Sequence, residues 1–327
     1  MLNRFIIFFQ ASTVTLNDCL LRRGFDFDVL TPVNLPLTPG YDVVGNIVEV
    51  GSNVSDFAVG ERVAAIVRCG GNARWISVSA SSLVKVPESL DSAEVAALVS
   101  IYTTAYQALR KITGSGPMFS LQGKKVLILG GMDGVGQALI QLCKKARATI
   151  FVSAPKLRHV YLNSVLGVTP LLENDWLSSV QGQIDYVFDG VCENGTEKSF
   201  KALNGSGEIV CYGHASMLKE KEMGILGVPL NIRMNQFYSK FSSRVHTVDI
   251  WDNFVADPTV YKQDLTTLCQ LLKWNKLKPH IAKRVALSEV ATAQAKLEKG
   301  DTRGTIVCFP WRPIVRTGKI TSETDES

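Results

Sequence analysis

The chain has 327 residues, enough for two domains with a sizeable core, and its 46% hydrophobic and 20% charged residues match an ordinary folded protein. Its net charge of +5 is scattered, with no dense Lys/Arg run and no interleaved aromatics, which excludes a nucleic-acid footprint and leaves an anionic cofactor or a peripheral membrane contact. The seven cysteines, Cys19, Cys69, Cys143, Cys192, Cys211, Cys269 and Cys308, are odd in number and irregular in spacing, which favours free thiols in a reducing compartment.

The opening MLNRFIIFFQ has one Arg and too short an apolar run for a signal segment, and no run is long enough to span a bilayer. A cytoplasmic location is expected. Up to about Pro87 the text is β-like, with Ile47–Val50, Arg62–Val67 and Trp75–Val78 as short strands between turn residues. At Ser92 apolar residues take helical spacing and continue to Ile112. Strands then alternate with helices: Lys125–Leu129, Thr149–Val152, Ile184–Phe188 and Glu208–Tyr212 as strands, and Val135–Lys144, Leu157–Leu166 and Glu197–Leu203 as helices. That alternation predicts a parallel sheet covered on both faces. Helices are expected at Asp264–Trp274 and Ser288–Glu298 and a last strand at Gly304–Phe309, before a polar tail after Pro313 that reads as disordered.

The segment KKVLILGGMDGVGQALIQLCKK places a glycine-rich turn between a buried strand and a helix. Such a turn lets backbone N–H groups approach phosphate oxygens with no Cβ in the way, at the positive end of the helix dipole. Gly131, Asp133, Gly134, Val135 and Gly136 are therefore candidates for binding a dinucleotide pyrophosphate. Asp133 stands where the fingerprint has its middle glycine. Its carboxylate would crowd a phosphate, and it would equally serve as a plain helix cap. The second strand ends IFVSAPKLRH without the acid that holds an NAD ribose. Ser153, Lys156 and Arg158 instead offer a hydroxyl and two cations, which points to the 2′-phosphate of NADPH.

Taken together, PLTPGYDVVGNIVEVGSNVSDFAVGERV, IYTTAYQAL, the glycine turn, IDYVFDGV, KALNGSGEIVCYG and EKGDTRGTIV resemble the medium-chain dehydrogenase/reductase superfamily, and within it the zinc-independent quinone oxidoreductase branch that includes zeta-crystallin. The resemblance implies an α/β protein: a Rossmann domain with a parallel sheet, and a GroES-like β-barrel domain built from both ends of the chain. The expected layout is a first part of the catalytic domain over 1–113, the Rossmann domain over 114–257, a return to the catalytic domain over 258–312, and the tail over 313–327. Only ten residues precede the matching segment at Ala11, so the GroES-like domain is expected to lack its opening hairpin, either because the sequence is truncated or with a sheet edge left open.

The family resemblance also implies NADPH-dependent reduction of quinones or α,β-unsaturated carbonyls. Gly40-Tyr41-Asp42 stands where zinc-dependent relatives have Gly-His-Glu, and His159, His214, His246 and His280 are isolated, so no metal is expected. An alcohol dehydrogenase is disfavoured for the same reason. Carried over onto this sequence, the nicotinamide pocket would be lined by Thr104, by Asp18 and by Thr15, which replaces the asparagine of an N-x-x-D loop. Tyr41 would face either pocket or core, and Tyr102 and Tyr106 would be packing residues. By analogy the protein would be a homodimer acting on a small molecule. The alternative is a binding or membrane-associated protein that kept the fold and lost turnover, with MGILGVPLNIRMNQFYSKF as its contact surface.

Overall fold

The computed structural model describes residues 4–24, 35–52, 56–114, 119–193, 196–216 and 242–312. The apolar stretch at 223–241 and the tail beyond 312 lie outside them. The first strand, β1, is Arg4–Val14 and 11 residues long. Its alternate residues Phe5, Ile7 and Phe9 are almost wholly buried, the period of a half-covered strand. β2 (Asp42–Val50), β3 (Arg62–Ile66), β4 (Trp75–Ser79) and β5 (Leu83–Lys85) follow, and β12 (Ile281–Ala286) and β13 (Thr305–Phe309) come from the far end of the chain. These seven make one sheet of order β12-β13-β1-β2-β3-β5, with β4 also on β1.

β1 is therefore interior. It pairs antiparallel with β2, β4 and β13 along successive parts of its length. β1 itself leaves no open edge; among the described strands the ends of the order are β12 and β5, with β4 paired to β1. The opening ten residues escaped a strand reading because Phe5 to Phe9 form an unbroken apolar run, which hides the period of two.

β6 (Lys125–Leu129), β7 (Thr149–Ala154), β8 (Thr169–Leu172), β9 (Ile184–Asp189), β10 (Leu203–Cys211) and β11 (Val245–Thr247) form a second sheet of order β11-β10-β9-β6-β7-β8. Each neighbouring pair is parallel. β6 leads to β7 on one side and borders β9 on the other, so the order reverses at the C-terminal end of β6. In open parallel sheets ligands bind at such a reversal.

The described helices are α1 (Leu16–Arg22), α2 (Ser92–Ala97), α3 (Thr103–Thr113), α4 (Gly134–Lys145), α5 (Trp176–Val180), α6 (Glu197–Ala202), α7 (Ile250–Ala256), α8 (Pro258–Lys273) and α9 (Val290–Glu298). α1 interrupts the stretch that reads as all β. β12 is hidden in the sequence by exposed Lys283 and Arg284, and α8 starts six residues before its apolar stripe. The stretch Lys156–Val165 is helical but irregular, tight at its start and wide at its end.

α2 and α3 are one helical segment joined by a widened turn, Leu98–Tyr102. Widening leaves carbonyls without their usual partners, and side-chain hydroxyls take them. Thr103 donates to the Leu98 carbonyl (2.8 Å), Tyr261 to Val99 (3.0 Å) and Thr104 to Ser100 (2.6 Å). This segment joins the two sheets through one continuous core: Ala11, Val44 and Ile66 of the first belong to the same apolar cluster as Val126, Ile128 and Phe188 of the second. Tyr102 and Tyr106 are buried packing residues, Tyr106 lying 4.8 Å from the Phe119 ring. Rigid packing on both sides fixes where the turn presents Ser100 and Ile101.

Candidate functional site

A cleft of about 1,020 Å³, counting its open mouth, lies between the two sheets at the reversal beside β6. One wall comes from the end of β1 and the start of α1. There Thr15 caps α1: its hydroxyl donates to Asp18 Oδ2 (3.1 Å) and accepts from the Asp18 N–H (3.4 Å), while its own N–H donates to Asp18 Oδ2 (2.7 Å). Asp18 Oδ1 accepts from Gly40 N–H at 2.7 Å. Thr15 lines the cleft; Asp18 is wholly buried behind it. Asp18 thus positions the wall and does not itself face the cavity.

The same construction recurs under the widened turn. Ser100 lines the cleft and donates to Asp42 Oδ2 at 2.7 Å, and Asp42 is wholly buried, bonded also to the Thr13 N–H (2.6 Å) and the Thr13 hydroxyl. Burial raises both carboxyls, Asp18 to about 7 and Asp42 to about 6, against the hydrogen bonds that favour their ionised forms. Thr104 faces the cleft with its proton committed to Ser100. All three hydroxyls therefore donate inward and turn lone pairs to the cavity.

Further residues line the cleft that the sequence did not assign to it. Asn17 sits between Thr15 and Asp18, exposed on the first turn of α1, and its amide has no partner among the described residues. Tyr41 faces the cleft and not the core. His214, one of the isolated histidines, is in the wall, and desolvation lowers it to about 4, which leaves a neutral imidazole at pH 7. Asp249 caps α7 by accepting from the Trp251 (2.8 Å) and Asp252 (3.0 Å) N–H groups. No sequence period could have gathered these, because they come from four separate parts of the chain. Among the described residues no three His, Cys, Asp or Glu side chains stand together as a metal's ligand set requires.

The opposite wall is the glycine turn. Asp133, Gly134 and Val135 line the cleft. The turn is built for close approach: a Cβ on Gly136 would lie 2.5 Å from Gly131 Cα, and one on Gly134 would meet Ile101 at 2.9 Å and Thr305 at 3.1 Å. Asp133 is the helix cap and accepts from Gly136 N–H at 2.6 Å. Its surface is half-buried. Desolvation raises it to about 6, opposed by the Gly136 and Val135 N–H groups.

Around the end of β6 lies a second pocket of about 500 Å³. Buried Ser153 lines it with Asn174, Glu173, Glu193 and Lys198. Its floor is Asp189, whose carboxylate accepts from the Val191 (2.9 Å) and Cys192 (2.8 Å) N–H groups and the Ser199 hydroxyl (3.0 Å). Lys156 and Arg158 line neither cavity; they stand on the helical turn after β7 and make no ion pair among the described residues. The structure thus brings Thr15, Thr104, Asp133, Gly134 and Val135 to one cleft, puts Ser153 in a neighbouring pocket across the turn, and leaves Asp18 beneath.

Two family models match the chain: the alcohol dehydrogenase GroES-like domain over residues 3–88 and the zinc-binding dehydrogenase domain over 166–308. The chain is 26% identical over 314 residues to the human synaptic vesicle membrane protein VAT-1 homolog, covering 92% of this chain and 77% of that one. It spans only 60% of the length of the zebrafish (Danio rerio) homolog. It is 32% identical over 218 residues to a tomato (Solanum lycopersicum) 2-methylene-furan-3-one reductase, covering 62% of this chain and 54% of that one. A solved quinone oxidoreductase from Coxiella burnetii superposes with a TM-score of 0.75 at 26% identity, covering 94% of this chain and 90% of that one. With the two-sheet architecture, the reversal at β6 and the glycine turn, these matches place the chain in the medium-chain dehydrogenase/reductase superfamily, in its zinc-independent, quinone oxidoreductase-like branch.

Proposed function

We propose that the chain is an NADPH-dependent oxidoreductase that reduces a quinone or an α,β-unsaturated carbonyl by hydride transfer without a metal. The observation that carries this reading is a cleft and a second pocket on either side of one glycine turn, at the reversal of a parallel sheet. That arrangement has the extent and chemistry for an extended dinucleotide. Gly134, Val135 and Gly136 would hold its pyrophosphate at the head of α4, and Ser153 would meet its adenosine end. Lys156 and Arg158 on the turn after β7, with Lys198 in the wall of the second pocket, are cations available to a 2′-phosphate, opposed by Glu173 and Glu193 on that pocket's rim. Thr104 offers a lone pair to a carboxamide N–H.

Bound in this way, the cofactor supplies a hydride. The chain's part is to orient the acceptor and answer the charge that develops on its carbonyl oxygen. Leu16, Leu20, Ile101, Val248 and Ile250 give the cleft apolar sides that suit a flat, weakly polar acceptor. Because the three hydroxyls donate inward, the developing oxyanion needs another donor, and the Asn17 amide is placed for it. Solvent at the mouth beside Asn17 completes the reduction with a proton.

Asp133 and the kinship to vesicle membrane protein homologs favour a second reading, a binding protein that retains the fold without turnover. One experiment separates the two. NADPH is titrated by its fluorescence, and its oxidation is followed at 340 nm with 1,4-benzoquinone and with an alkyl enone. Binding with acceptor-dependent oxidation is the expected outcome; binding without oxidation selects the second reading, and no binding at millimolar NADPH sinks the first.

A further inference from the structure

The Asp133 carboxylate is held by the same groups that a dinucleotide phosphate needs. It accepts from Gly136 N–H at 2.6 Å, it caps α4 where that helix opens from the glycine turn, and it lines the cleft. No Lys or Arg pairs with it among the described residues, so the Gly136 and Val135 N–H groups and the helix dipole are what offset its charge. The glycines beside it cannot yield space. Gly136 is locked against Gly131, and Gly134 is in contact range of Ile101 and Thr305 for any added atom. A phosphate arriving at the head of α4 therefore meets an anion already seated on its donor.

Building on the proposed cofactor site, we infer that Asp133 is a built-in competitor for the cofactor's pyrophosphate: the chain's own carboxylate takes the Gly136 N–H, and dinucleotide binding has to displace it. Two consequences have opposite signs. Removing the carboxylate takes a cap from α4 and weakens the ligand-free protein. The same removal frees the N–H and abolishes the repulsion between carboxylate and phosphate, so cofactor affinity rises. A residue that only supports the fold would lower both together.

The test measures the Kd of NADPH and of NADP⁺ by calorimetry, and the ligand-free melting temperature, for the full chain and for Asp133→Gly and Asp133→Asn. Asp133→Gly should bind about 10-fold more tightly, or better, while its ligand-free melting temperature falls. Asp133→Asn keeps an acceptor for Gly136 N–H and loses only the charge, so it should melt near the wild type and bind more tightly by a smaller factor. It also keeps the test decisive if the glycine variant folds poorly. Wild-type binding with no gain in either folded variant overturns the competitor role and leaves the proposed cofactor intact. No NADPH or NADP⁺ binding by any of the three overturns the proposed cofactor and the competitor role with it.

Discussion

Two walls of one cleft treat carboxylates in opposite ways. On the wall made by β1, α1 and the widened turn, Asp18 and Asp42 are wholly buried, and the Thr15 and Ser100 hydroxyls stand between them and the cavity. On the wall made by the glycine turn, Asp133 has no such cover and faces the cavity itself. All three accept backbone N–H groups. Covered, such a carboxylate fixes the shape of a wall; uncovered at a helix N-terminus, it takes up the site.

The largest expected effect breaks the covered pair. Asp18 and Asp42 hold their protons to about 7 and about 6, above the 3.8 of the ordinary side chain that the unfolded chain presents. The folded state then binds more protons between those values, so the contribution of each is full below pH 3.8 and is lost as pH rises through its folded value. Subtracting the stability of Asp18→Asn from that of the wild type, by urea denaturation from pH 4.5 to 8, should give a difference that falls on the order of 2–4 kcal/mol across that window. Asp42→Asn should show a smaller fall that finishes earlier. A flat difference would show that neither carboxyl is raised by burial.

Next comes the turn's geometry. Gly136→Ala puts a Cβ against the Gly130 and Gly131 backbone, which should cost about 1–3 kcal/mol and abolish NADPH binding. Gly205→Ala in β10, where a Cβ meets nothing within 4 Å, should leave the Kd unchanged. Equal effects from the two would mean that the close approach of strand and helix does not shape the site.

The glycine turn was legible in sequence because every requirement on it is local: a buried strand, a sharp bend and a helix start within a dozen residues. The parallel sheet was legible for the same reason, since β6, β7 and β9 are short apolar runs between helices. β1 was not, because its apolar run masks alternation and its partners β2, β4 and β13 lie far along the chain. The cleft's polar lining was the least legible. Asn17 is set beside Thr15 by the α1 cap, Ser100 by the widened turn and His214 by the end of β10, and only tertiary structure makes them neighbours. That Thr15 and Thr104 donate away from the cavity is set locally, by the cap bond to Asp18 three residues on and by the helical bond to the Ser100 carbonyl four residues back.

Asn17 sharpens the comparison from the covered wall. With its hydroxyls turned inward, that wall keeps one side-chain amide without a partner among the described residues. Asn17→Ala should lower kcat for an enone by about 10- to 100-fold with little change in NADPH Kd. A matching loss in Kd would move Asn17 to the cofactor side of the cleft.

The smallest effect is at the far end of the other wall. Lys156 and Arg158 are exposed or half-buried and make no ion pair among the described residues, and their reach to a 2′-phosphate competes with the Glu173 and Glu193 carboxylates on the second pocket's rim. If the cations prevail, reversing them with Lys156→Glu and Arg158→Glu together should cut the preference for NADPH over NADH about 10-fold, the size of one charge-assisted hydrogen bond. Affinity for NADH should hardly move, because NADH carries no 2′-phosphate. If the rim carboxylates prevail, the wild type will already favour NADH, and Glu173→Gln will be the change that shifts the ratio toward NADPH. The ratio of the two Kd values, measured on the wild type and these variants at one ionic strength, decides which charges read the ribose, since solvent screening weakens both sets alike.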